Sequence, residues 1–91
     1  QLGNPEAHLA LATNFILGRG AEKNLTLAHV SCNLATFLSR DISSISRSIQ
    51  LRTELESKMS TDQIKKAEQL SRKCIEKKFK ECMTYAKKIG Q

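Results

Sequence analysis

The chain has 91 residues, 40% of them hydrophobic and 26% charged, with a formal net charge of +6. That length fits one domain with a thin core, and the composition is that of a globular chain rather than a disordered one. Val and Tyr occur once each and Trp not at all, while Leu, Ile, Ala, Lys, Glu and Gln dominate; an all-α fold is expected, and no apolar run is long enough to cross a bilayer.

Asn4-Pro5-Glu6 reads as a helix start, with an N-cap, proline in the first turn and an acid at the positive end. Ala7, Leu11 and Phe15, with Ala10 and Leu17 nearby, form its apolar stripe, and Gly18 stops it. Asn24 caps a second helix whose buried face is Leu27, Ala28, Cys32, Leu34, Ala35 and Leu38. The connection of about six residues predicts antiparallel neighbours. Asp41 opens a third helix, read as burying Ile42, Ile45, Ile49, Leu55 and Met59, with Arg52 interrupting the stripe. Ser60 and Gln63 make a capping box for a fourth, carried by Ile64, Ala67, Leu70, Ser71, Cys74 and Ile75. Phe79, Cys82, Met83, Ala86 and Ile89 either prolong that stripe or follow a break around Lys77–Lys80. The expected architecture is antiparallel helical hairpins, an α-solenoid fragment of about four helices in one domain, 1–91.

Gly18 and Gly20 raise the question of a phosphate loop. Such a loop needs a strand before the glycines, and a further glycine or a Lys-Ser/Thr pair after them. A helix precedes them here and neither signal follows, so they read as a turn between helices. The same region, "GNPEAHLALATNFILGRGAEKNLTLAHVSCNLAT", resembles a Sel-1-like repeat, a relative of the tetratricopeptide repeat. Ala7, Leu11, Phe15, Gly18, Gly20, Asn24, Ala28 and Ala35 fit the family pattern, while Ala12, Ala21, Ser31 and Thr36 depart from it. "RTELESKMSTDQIKKAEQLSRKC" is similar to the ending of many bacterial Sel-1-like proteins through Arg52, Leu55, Met59, Gln63, Ala67 and Leu70, with Ser60 and Ser71 as departures. The resemblance implies a repeat hairpin over 3–39, followed by a degenerate capping helix pair over 41–91 with a basic tail. Repeats bury their faces on neighbours, so a lone repeat relies on its cap and on a partner.

Such endings often finish in two cysteines about eight apart, and the resemblance implies a Cys74–Cys82 disulfide. On a straight helix these residues would lie about 12 Å apart, beyond the roughly 7 Å that a disulfide tolerates, so the bridge requires the helix to break between them. Reduced thiols in a cytoplasmic protein are the alternative. No metal site or cofactor is expected: His8 and His29 are the only histidines, they fall on different helices, and no Cys-x-x-Cys occurs. His29 and Cys32, three apart on one helix, could form a nucleophile pair, but nothing supplies an oxyanion loop, and a non-enzyme is expected.

Charge is lopsided. Residues 1–51 carry four Lys/Arg against three acids, and 52–91 carry eleven against six. Glu68, Glu76 and Glu81 interleave with the C-terminal cations and stacking aromatics are lacking, so nucleic acid is the less favoured partner and a membrane surface less favoured still. The expectation is a protein-binding module, as the resemblance also implies. Its candidate partner-binding residues are Leu9, Thr13 and Ile16 on the first helix and Arg19, Glu22 and Lys23 in the turn. Gln1 in place of Met fits a mature end left by export as well as an arbitrary boundary. Together with the cysteine pair it suggests a bacterial periplasmic immunity protein against a cell-wall-degrading toxin such as a peptidoglycan amidase. A general periplasmic adaptor is the alternative, and pairing with a second copy stays open.

Overall fold

The computed structural model describes residues 4–20 and 22–77. Four helices account for most of them: α1 (Pro5–Leu17), α2 (Leu25–Leu38), α3 (Ile42–Glu56) and α4 (Thr61–Glu76), with no strand among the described residues. The fold is all-α. Residues 1–3 and 78–91 lie outside the described part, and with them Cys82, the expected Cys74–Cys82 bridge, and Phe79, Met83, Ala86 and Ile89. α4 ends at Glu76, with Lys77 as its C-cap.

The starts and stops follow from local chemistry. The Asn4 side chain accepts from the Glu6 amide at 2.9 Å, ahead of Pro5. Asn24 accepts from Leu27 at 3.0 Å, Asp41 from Ser44 at 2.7 Å, and Ser60 and Gln63 form the full reciprocal capping box. Gly18 and Gly20 have φ of 71° and 69°, a left-handed region that glycine enters without penalty. Gly18 thereby closes α1, and the Asn24 amide returns to the Phe15 carbonyl at 3.0 Å, folding α2 back along α1.

Asp41 makes one cap pH-sensitive. The Ser44 backbone amide and hydroxyl both donate to its carboxylate, with a smaller pull from Arg47, and hold its carboxyl below the usual aspartate range. A depressed folded pKa contributes stability above the unfolded value and loses it as pH falls through the folded one. The amide of Ser44 is therefore expected to lose hydrogen-exchange protection below about pH 4, where the unfolded carboxyl begins to protonate, while those of α4 at neutral residues hold. Uniform loss along all four helices would contradict this.

α2 is the hub of the fold. The other three helices all pack on it, and α1 meets α3 only lightly. Leu27, Ala28, Val30, Cys32, Leu34 and Ala35 are buried around most of its circumference, as are Thr26, His29 and Ser31. Phe15, Leu55, Ala67, Leu70 and Cys74 complete the core from the outer helices. The Ser31 hydroxyl is buried with no hydrogen-bond partner among the described residues. Removing an unsatisfied buried polar atom is neutral or favourable, so Ser31→Ala is expected to raise stability by up to about 1 kcal/mol in urea melts; a loss of that size would reveal an unseen partner.

Two faces differ from the sequence expectation. α1 is turned by about one residue: His8, Ala12 and Phe15 are buried, whereas Ala7 and Leu11 are only partly so and Ala10 and Leu17 are exposed. α3 shows the larger change. Its isoleucines do not form the core face: Ile42 is 83% and Ile49 39% exposed, and Ile45 is half-buried. Ser44, Ser48 and Leu55 are buried instead. These serines can be buried because their hydroxyls are satisfied locally. Ser48 donates toward the Ser44 and Ile45 carbonyls at 2.9 and 3.1 Å, and Ser44 bonds to Asp41.

Candidate partner-binding groove

His29 and Asn33 on α2 and Arg52 on α3 would read separately as polar interruptions of two helices. The fold brings them together. His29 on α2 lies against Glu56 on α3, Nε2 to Oε2 at 2.6 Å, and Asn33, one turn further along α2, receives Arg52, one turn earlier on α3, Nη1 to Oδ1 at 2.9 Å. The crossed numbering fixes α2 and α3 as antiparallel. From its other side Asn33 donates to Ser71 on α4 at 2.9 Å, and Ser71 in turn donates to the Ala67 carbonyl at 2.7 Å.

The donors and acceptors of this network can be assigned without ambiguity. Arg52 only donates, so the atom facing it must be the Asn33 amide oxygen. The Asn33 amide nitrogen then supplies one hydrogen to Ser71 and the other to His29 Nδ1, 3.0 Å away. Nδ1 of the neutral ring is therefore an acceptor, and Nε2 carries the proton donated to Glu56. Every polar atom of Asn33 is used, and one side chain ties α2 to both α3 and α4.

This geometry changes the reading of His29 and Cys32. Both ring nitrogens of His29 are engaged, by Glu56 and Asn33, and the ring is 1% exposed. Burial pushes the Cys32 thiol up to about 11, against a smaller opposing pull from Arg52; a thiol so placed stays protonated at neutral pH. No three metal-ligating side chains converge among the described residues.

Above the network lies an open groove of about 410 Å³, lined by Asn33 and by Glu68, Ser71, Arg72 and Ile75 of α4. Arg52 adjoins it through its bond to Asn33. Neither Arg52 nor Arg72 has a carboxylate within ion-pair distance among the described residues, where Arg47 pairs with Glu6 and Glu56 accepts from the neutral His29 ring. On α3, Ile42, Ile45, Ile49, Arg52 and Glu56 fall at successive spacings of three and four, a single strip. That strip presents exposed isoleucine at one end and cation and acid at the other.

The residues expected to bind a partner fall in two groups. Arg19, Glu22 and Lys23 are exposed in the glycine turn. Leu9 and Thr13 are half-buried, with the Thr13 hydroxyl donating to the Leu9 carbonyl at 3.1 Å, and Ile16 packs against the core. Sequence reasoning missed Asn33, Glu56 and Ser71 as a set, and read Arg52 as a flaw in a buried stripe. Their signal was polar side chains recurring on otherwise apolar helix faces, and it needed knowledge of which faces meet. No family model, curated protein or solved structure matches the chain.

Proposed function

We propose that this chain is a non-catalytic protein-binding module related to Sel-1-like repeats, and that it serves as a periplasmic immunity protein blocking a secreted cell-wall-degrading enzyme such as a peptidoglycan amidase. The observation that carries the binding reading is the outward isoleucine strip of α3, with Ile42 83% exposed beside Ile49. Branched apolar side chains left in water on a rigid helix favour a partner that covers them. Both ring nitrogens of His29 are engaged by Glu56 and Asn33, and the Cys32 thiol is buried, in support of recognition over reaction. The exposed glycine turn with Arg19, Glu22 and Lys23 is a second contact of this reading, beside Leu9, Thr13 and Ile16. A Cys74–Cys82 staple completes it.

The test is hydrolysis of purified peptidoglycan by the secreted amidase encoded next to this chain's gene. Equimolar chain is expected to abolish hydrolysis, and the variant with Ile42→Glu and Ile49→Glu is expected to restore it. Full hydrolysis in the presence of a tenfold excess of chain, or the lack of any such neighbouring gene, would contradict the immunity reading.

A further inference from the structure

We infer that the groove over Asn33 receives an acidic amphipathic helix of the partner, with a carboxylate seated between Arg72 and Arg52 and an apolar side chain against Ile75. This deepens the binding reading above and rests on it. The first argument is unpaired charge. Arg72 lines the groove and Arg52 adjoins it, and neither has a carboxylate among the described residues. Arg52 is half-buried and spends one N–H on Asn33, which leaves its remaining donors for an incoming acceptor. A partly desolvated guanidinium gains more from a carboxylate than a fully hydrated one does.

The second argument is rigidity. Asn33 and Ser71, which form the groove's polar floor, are fixed by hydrogen bonds to three helices, so a ligand does not have to order them on binding. The third argument concerns direction. Glu68 lies one turn before Arg72 on α4 and lines the same groove. It repels a carboxylate at its own position and Glu76, one turn after Arg72, does so on the other side, so the partner's acid is confined to the place between them, at Arg72. The fourth argument excludes the nearest competitor. The chain's own residues 78–91 carry Lys78, Lys80, Lys87 and Lys88 against Glu81, a net positive charge that Arg52 and Arg72 disfavour.

The test is an NMR titration of the full chain with capped peptides of about 14 residues, long enough for a groove-bound helix. One has leucines at helical spacing and glutamates elsewhere, one has lysine in place of glutamate, and one has serine in place of leucine. The glutamate–leucine peptide is expected to shift the amides of Asn33, Arg52, Ser71 and Ile75. Arg72→Gln, at an exposed position that leaves the fold intact, is expected to weaken it about tenfold, and the other two peptides are expected to leave those amides in place. Equal binding of the lysine peptide, or shifts spread over Lys23 and Lys65 and indifferent to Arg72→Gln, would overturn the inference. So would movement of the same amides on Phe79→Ser without peptide, which would put the chain's own C-terminal segment in the groove. If the groove fails while the variant Ile42→Glu, Ile49→Glu still abolishes amidase inhibition, recognition through α3 stands and only the acidic ligand falls.

Discussion

Leu34→Ala is expected to remove about 3 kcal/mol of stability and to lower the melting temperature by roughly 12–24 °C. Leu34 is fully buried on the helix against which all the others pack. Truncation there forfeits the transfer energy of the lost carbons and leaves a cavity that cannot readily close. The neighbouring core is built partly of Ala28, Ala35 and Ala67, which have no flexible atoms to move into the space. A chain of this size holds roughly 5–10 kcal/mol in total, so the variant keeps only about 2–7 kcal/mol and still gives a measurable transition. Urea denaturation followed by circular dichroism measures it, and a loss under about 1 kcal/mol would mean that α2 is not the centre of the core.

The second large effect belongs to Asn33. Asn33→Ala deletes the bonds to His29, Ser71 and Arg52 at once and leaves His29 Nδ1 buried without its donor. The expected loss is about 2–3 kcal/mol, the order of an orphaned buried acceptor plus the pairings removed. Ser71→Ala is expected to cost only about 1 kcal/mol, because its hydroxyl gives up one interhelical bond. The pair should be non-additive: once Asn33 is gone, removing the Ser71 hydroxyl costs less, by roughly 1 kcal/mol. Strictly additive losses in the double-mutant cycle would show that Asn33 and Ser71 do not bond in solution.

How far the sequence revealed this arrangement varies by helix. α4 was the most legible: Ala67, Leu70, Ser71 and Cys74 recur on one side of a helix otherwise made largely of charge and are buried, while Ile64 and Ile75 are half-buried and the end of the helix was left open. The ends were legible for a related reason: Asn4, Asn24, Asp41 and Ser60 cap through their own backbone neighbours, so no distant contact is needed. α2 was legible only in part, because a helix enclosed by three others buries Thr26, His29 and Ser31 along with its leucines. α3 misled because hydropathy favours isoleucine over serine as a core residue. The serine hydroxyls satisfy themselves within the helix turn, and Leu55 lies on their side. The groove could not be read from the sequence, since Asn33 and Ser71 stand 38 residues apart and only tertiary packing brings them within 2.9 Å.

The orientation of α3 decides whether its isoleucines are available to another protein, and the thermal stability of the variant with Ile42→Glu and Ile49→Glu measures it directly. With Ile42 83% exposed and Ile49 39% exposed, two glutamates should cost no more than about 2 kcal/mol, mostly from the covered part of Ile49, and the variant should remain folded with a cooperative melt. A loss of several kcal/mol, comparable to that from Leu34→Ala, would mean that these isoleucines are core residues and that α3 offers no surface for recognition.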